Sequence, residues 1–187
     1  MGDPPRLFTF PNLVSLARVA LTPLLVVLIV RRDTTRIGLL LFALVAASDF
    51  VDGYLARRLG QVSELGRVLD PAADRVAIGA GLLALGIRGA FPWWAAGLIL
   101  ARDVAVLLVG VAVLLARRIR IDVRWIGKFA TLNLMVAVTC VSWGRLGYQF
   151  AAPIEMLGWI AYAIGLSTSY VAALLYLGDL RRALAGR

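Results

Sequence analysis

Four aspartates, Asp49, Asp52, Asp70 and Asp74, fall within 26 residues of a stretch that is otherwise strongly apolar. An aspartate at the centre of a bilayer-spanning helix costs about 2.5–3.5 kcal/mol on insertion scales, so four together need a shared cation. Asp49 and Asp52 are spaced i,i+3 and Asp70 and Asp74 i,i+4, spacings that put each pair on one face of a helix. The segment between them, Gly53 to Leu69, turns the chain back and lets the two pairs converge. Hard carboxylate ligands without His or Cys select magnesium or manganese over zinc or copper. The chain has no histidine and one cysteine, Cys140. Ser-His-Asp triads, His-rich zinc sites and imidazole acid/base pairs are therefore excluded, and chemistry rests on carboxylates. Cys140 stands alone in an apolar run and reads as a small buried hydrophobe, outside any disulfide framework or Cys-x-x-Cys metal site.

Small and basic residues surround the acids. Gly53 and Ala56 follow Asp52 on the same predicted helix, where small side chains admit a bulky substrate close to the backbone. Arg57 offers a planar fork suited to phosphate oxygens, while Arg58 fits the basic flank of a membrane span. Gly66 precedes the second aspartate pair, where a glycine can cap, turn or approach a ligand.

The elements that position these residues follow from composition. The 187-residue chain is 61% hydrophobic and 17% charged, against roughly 45–50% and 25% in soluble domains. Lipid is the solvent that tolerates such a surface. Six spans of about bilayer length are expected, near Leu13–Val30, Ile37–Ala56, Val68–Gly86, Pro92–Ala116, Ile126–Trp143 and Ile154–Leu177. The predicted fold is an all-α integral membrane protein, one bundle of six transmembrane helices forming a single domain over 1–187. The short connections leave no room for a second soluble domain. The N-terminal arm Met1–Pro11, with Leu7, Phe8 and Phe10 beside Arg6, is expected to lie in the interface. Arg31-Arg32-Asp33 follows the first span in place of a small-residue cleavage site, so that span reads as an uncleaved helix.

Orientation follows from the basic residues. With the N-terminus cytoplasmic, twelve Lys and Arg lie on that side and five, Arg31, Arg32, Arg36, Arg88 and Arg145, on the other. That bias predicts both termini and the aspartate cluster on the cytoplasmic face of a bacterial-type inner or plasma membrane. Trp93, Trp94, Trp125, Trp143 and Trp159 fall near predicted span ends, as an interfacial belt would place them. The net charge of +9 flanks apolar spans, which fits anionic lipid or anionic substrates and not nucleic acid. The Arg117–Arg124 segment fits the same basic flank. Gly79, Gly81, Gly86, Gly97, Gly110, Gly158 and Gly165 are small residues of the kind that let membrane helices approach closely.

The run Asp49-x2-Asp52-Gly53-x2-Ala56-Arg57-x8-Gly66-x3-Asp70-x3-Asp74 resembles, without departure, the signature of the CDP-alcohol phosphatidyltransferases. The resemblance implies an enzyme of phospholipid biosynthesis that moves a phosphatidyl group from CDP-diacylglycerol to an alcohol hydroxyl and releases CMP. It further implies that Asp49, Asp52, Asp70 and Asp74 hold two divalent cations, Mg2+ or Mn2+. Asp49, Gly53, Ala56, Arg57 and Gly66 would shape the CDP site, Asp74 would be the catalytic base, and the protein would be a homodimer. Two metals can clamp a pyrophosphate and stabilise the charge developing on the leaving phosphate.

Acceptor choice must come from other residues. Pro11-Asn12-x2-Ser15-x2-Arg18 resembles the opening of the phosphatidylglycerophosphate synthase and cardiolipin synthase branches. Arg18, Arg102 and Lys128 are the candidate acceptor-binding cations, the alternative for Arg102 being an internal ion pair with a carboxylate on a neighbouring helix. Arg102-Asp103 and the single lysine of Gly127-Lys128-Phe129-Ala130-Thr131 look closer to the cardiolipin branch, whose acceptor is phosphatidylglycerol. Glycerol 3-phosphate is placed narrowly first and phosphatidylglycerol second, with an inositol phosphate behind both. Two other classes place acids in membrane helices. Aspartate-rich prenyltransferases resemble a longer bundle with widely separated motifs, and transporters use inverted repeats, which this chain lacks.

Overall fold

The computed structural model describes the backbone of residues 10–59, 66–115 and 125–185, and the side chains of 17–47, 75–108, 127 and 129–174. Among the described residues there are six α-helices and no strand: α1 Phe10–Val30, α2 Thr35–Leu59, α3 Gly66–Ile87, α4 Trp93–Leu115, α5 Trp125–Arg145 and α6 Ala151–Ala185. Each coincides with one expected span. The main differences are at the ends. Helix α1 begins at Phe10, so Phe10 and Pro11 belong to its first turn instead of the arm; proline is tolerated there because its missing N–H has no intrahelical partner to lose. The rest of the arm, and the Arg117–Arg124 segment, lie outside the described residues. Helix α6 continues to Ala185, beyond the expected end at Leu177. Its stretch Ala151–Leu174 is long and apolar enough to cross a membrane, and Ala17–Val30, Thr35–Ala47 and Arg75–Ile87 are shorter apolar helical stretches.

The chain forms two compact units, Met1–Ala90 and Phe91–Arg187. In the first, α1 packs on α3 and α2 around Leu25, Ile29, Leu39, Phe42, Leu82 and Leu85, all buried. The α1–α2 turn is fixed by threonine hydroxyls that take up carbonyls left open at the C-terminus of α1. Thr34 Oγ1 donates to Leu28 O (3.0 Å), and the fully buried Thr35 Oγ1 lies 2.7 Å from Arg31 O and 3.0 Å from Ile29 O. Arg88, just beyond α3, donates through Nε to the same Thr35 hydroxyl at 3.1 Å. One hydroxyl therefore ties together the end of α1, the start of α2 and the end of α3. Arg88 thus shares an end of this unit with Arg31, Arg32 and Arg36, as the charge pattern anticipates.

Two glycines set how closely these helices meet. A Cβ on Gly38 would lie 2.7 Å from Ile29 N, and one on Gly81 would lie 2.5 and 2.6 Å from ring carbons of Phe42. The obstacle at Gly38 is backbone, whereas that at Gly81 is a side chain. Gly81→Ala is expected to destabilise the protein by about 1–3 kcal/mol by overpacking. A second substitution, Phe42→Leu, should recover much of that loss in thermal unfolding of the detergent-solubilised protein.

In the second unit, α5 and α6 pack antiparallel along a seam of small residues. A Cβ on Gly158 would lie 2.6 Å from Val141 N, and one on Gly165 would lie 3.0 Å from Leu134 N; a Cβ on Gly144 would collide with Glu155. Each step of seven residues along α6 is matched by seven back along α5, so the register is continuous. Helix α4 meets α6 through an aromatic cluster: Trp94 stacks on Trp159 (5.6 Å, 8°), Tyr162 is edge-on to both, and Tyr162 Oη donates to Ala95 O at 3.1 Å. Trp159 is thus a packing residue two turns inside α6, and not a residue of its end. Cys140 is half-buried, with its Cβ against Gly158.

Candidate functional site

The signature residues occupy the adjoining ends of α2 and α3. Asp49, Asp52, Gly53, Ala56 and Arg57 lie on the last four turns of α2, and Gly66, Asp70 and Asp74 on the first three turns of α3. The connection, 60–65, is short, as between antiparallel neighbours. Phe42 against Gly81 is the described contact that sets their register. Asp49 is seven residues after Phe42 and Asp74 seven before Gly81, two helical turns in each case. The side chains of all eight signature residues lie outside the described set. Among the described residues no three His, Cys, Asp or Glu side chains gather as a metal site.

The three candidate acceptor cations are distributed between the units. Arg18, on α1, is buried at 7% exposure, and its carbonyl accepts a hydrogen bond from Thr22 Oγ1 at 2.8 Å. Lys128 lies in the first turn of α5, its side chain outside the described set. Arg102, on α4, is described in full. Its Nε donates to Ser169 Oγ (2.7 Å), Nη1 to Asp103 Oδ1 (2.7 Å) and Nη2 to Thr131 Oγ1 (3.3 Å). The ion-paired side chains of Arg102 and Asp103 keep 10% and 14% of their surface exposed.

The carboxylate corrects the alternative reading of Arg102, an internal ion pair with a neighbouring helix. It comes from the next residue of the same helix, not from a neighbouring one. Consecutive helical residues point about 100° apart, so the two side chains must bend toward each other to meet. What reaches Arg102 from neighbouring helices is hydroxyl oxygen: Thr131 from α5 and Ser169 from α6. Thr131 Oγ1 also donates to Gly127 O (3.0 Å), which leaves its lone pairs free to accept from Arg102. Sequence reasoning reached Thr131 only as part of the glycine-lysine motif and missed Ser169. The available signal was the polar run Ser167-Thr168-Ser169 inside an otherwise apolar helix.

The sequence profile of the CDP-alcohol phosphatidyltransferase family matches residues 8–171, a stretch that takes in most of each unit. The chain is 39% identical over 185 residues to cardiolipin synthase (CMP-forming) of Streptomyces coelicolor, covering 95% of this chain and 85% of that protein. It is 32% identical over 176 residues to the CDP-diacylglycerol–glycerol-3-phosphate 3-phosphatidyltransferase of Salmonella choleraesuis (91% and 90% covered). With the enzyme of the same name from Bacillus subtilis it shares 30% over 172 residues (83% and 88%).

Proposed function

The chain belongs to the CDP-alcohol phosphatidyltransferase family, an enzyme family of phospholipid biosynthesis, and we propose that it transfers the phosphatidyl group of CDP-diacylglycerol to a glycerol hydroxyl that neighbours a phosphate. The observation that carries this reading is the eight-position signature, complete and correctly spaced, at the adjoining ends of two antiparallel helices. Four carboxylates with no competing His or Cys form a donor set that fits two divalent cations, Mg2+ or Mn2+. Asp49, Asp52, Asp70 and Asp74 would hold them. When bound, such cations neutralise the pyrophosphate and the negative charge that develops on the leaving CMP.

The chain's own residues supply the remaining steps. Gly53 and Ala56 leave room for the nucleotide near the backbone of α2, Gly66 does so at the start of α3, and Arg57 offers its fork to phosphate oxygens. Asp74 accepts the proton of the acceptor hydroxyl as its oxygen bonds to the phosphatidyl phosphorus. The bond from that phosphorus to the CMP oxygen breaks, and CMP departs with the electron pair. Arg18 in the first unit and Arg102 and Lys128 in the second are each a candidate cation for the acceptor's phosphate.

The acceptor we propose is phosphatidylglycerol, as for a cardiolipin synthase. The 39% identity to the Streptomyces enzyme, together with Arg102-Asp103 and a single lysine at Lys128, supports it. Glycerol 3-phosphate is the second reading, supported by 32% identity over nine-tenths of the Salmonella enzyme. The reading extends to a single catalytic domain over 1–187 made of six transmembrane helices, with the active site and both termini cytoplasmic, in a homodimer. Exposed Leu24, Leu44, Leu108, Leu157 and Leu174 support lipid as the surroundings, since water-facing helices carry polar residues at such positions.

The test is product analysis of the purified protein with CDP-diacylglycerol, Mn2+ or Mg2+, and one acceptor at a time. Cardiolipin and CMP from phosphatidylglycerol are expected. Phosphatidylglycerophosphate in their place would establish the second acceptor, and CMP release that survives both EDTA and Asp70→Asn would remove the metal-dependent reading altogether.

A further inference from the structure

Arg102 has five N–H donors, and three of them are engaged by Asp103, Thr131 and Ser169. Among the described residues the other two, one on each terminal nitrogen, have no partner, and a tenth of the Arg102 side chain is exposed. The guanidinium is therefore held at its base and sides while part of its fork stays available. Asp103 balances its charge within an apolar helix, but a carboxylate on one terminal nitrogen does not fix the plane of the group. Two hydroxyls on two other helices do.

The α5–α6 seam delivers those hydroxyls to the same level. Gly158 faces Val141 and Gly165 faces Leu134; four residues further along α6 comes Ser169, and three back along α5 comes Thr131. Ser169 is 2% exposed, so its hydroxyl is committed to the interior. Thr131 is oriented in turn by its bond to Gly127 O. A buried arginine whose only task was to hold helices together would be expected to spend all its donors on them.

We propose that Ser169 and Thr131 are positioning residues for the acceptor: they hold the plane of Arg102 so that its two open N–H groups meet the anionic phosphate beside the acceptor hydroxyl. This rests on the assignment of Arg102 to the acceptor site. A planar fork matches two phosphate oxygens only in one orientation, so loss of a hydroxyl weakens acceptor binding without touching the nucleotide end.

The test is steady-state kinetics of the purified full chain, varying phosphatidylglycerol and CDP-diacylglycerol separately. Ser169→Ala and Thr131→Val are each expected to raise the KM for phosphatidylglycerol about tenfold, the equivalent of one charge-assisted hydrogen bond. The KM for CDP-diacylglycerol should stay within twofold, and Thr131→Ser, which keeps the hydroxyl, should stay close to wild type. The same acceptor KM in Ser169→Ala and Thr131→Val as in wild type, with only thermal stability lowered, would overturn the proposal and leave the hydroxyls as helix fasteners. Arg102→Lys separates the two levels: a raised acceptor KM there with no effect of the hydroxyl variants retains Arg102 and removes its positioning, whereas an unchanged acceptor KM removes Arg102 from the site. If Ser169→Ala does not fold, the contrast between Thr131→Val and Thr131→Ser decides alone.

Discussion

Asp74→Asn is expected to lower kcat by about 10²–10⁴-fold, the range that a positioned general base contributes, while the protein still folds and still takes up CDP-diacylglycerol. The argument combines the chemistry of the acceptor with that of the cluster. An unactivated glycerol hydroxyl must lose a proton as it attacks phosphorus, and this chain has no histidine to receive it. Among the signature carboxylates, Asp74 is the one furthest along α3 from the connection. Asparagine keeps the size of aspartate and one ligand oxygen but neither the negative charge nor the basicity. A purely ligating role predicts a different outcome, a raised concentration of Mn2+ for half-maximal rate with kcat recovered at saturation. Wild-type turnover with unchanged metal dependence would exclude both roles. A thermal-unfolding measurement adds an independent readout. If the four carboxylates converge as proposed, they repel one another without metal, so removing one should leave the melting temperature unchanged or raise it. The additional stabilisation by Mn2+ should shrink, because a ligand stabilises only through its affinity for the folded state.

Much of this organisation is legible before any coordinates exist, for a physical reason. A long apolar helix is marked by composition; α2 to α5 each fall within a few residues of the apolar runs read from the sequence. Charge is so costly in such runs that an acid or an arginine there stands out, which is how Asp49, Asp52, Asp70, Asp74 and Arg102 are found. What composition leaves open is partner choice. The alternative reading of Arg102 puts a carboxylate partner on another helix, and the partner is Asp103; nothing in a linear sequence says that two consecutive side chains will bend together. Ser169 is harder to single out for the opposite reason: a hydroxyl costs far less in an apolar helix than a charge, so the run Ser167-Thr168-Ser169 marks a polar stretch without saying which hydroxyl meets Arg102. The glycines divide in the same way. Gly81, Gly158 and Gly165 line close approaches as expected, whereas a Cβ on Gly97 would meet nothing within 4 Å. Gly38 and Gly144 also pack closely, although each lies near a helix end where a glycine is easily read as part of the turn.

Gly158→Leu is expected to have a large structural effect on the α5–α6 seam. The first added carbon alone would lie 2.6 Å from Val141 N, 2.8 Å from Val141 Cγ2 and 2.9 Å from Cys140 Cβ. The nearest of these atoms is backbone, so no rotamer change clears the space. The helices must separate instead, and separation loses the dispersion contacts that hold two apolar helices together. Gly158→Ala should cost about 1–3 kcal/mol, as overpacking does elsewhere, and the three further carbons of leucine should take the loss beyond 3 kcal/mol. In detergent this appears as a lowered melting temperature for alanine and as aggregation or failure to accumulate for leucine. The contrast with Gly81 follows from what each faces, since Phe42 can be shortened and a main-chain amide cannot. Val141→Ala should therefore rescue Gly158→Ala only slightly, because it removes the 2.8 Å neighbour and leaves the 2.6 Å one. Full rescue by Val141→Ala would place the obstruction in the side chain and show that the backbones of α5 and α6 are further apart than the register of this seam requires. The same seam positions Ser169 and Thr131 around Arg102, so Gly165→Ala, one turn from Ser169, should raise the KM for phosphatidylglycerol as well as lower stability. Gly158→Ala, three turns from that network, should lower stability with a smaller change in the acceptor KM.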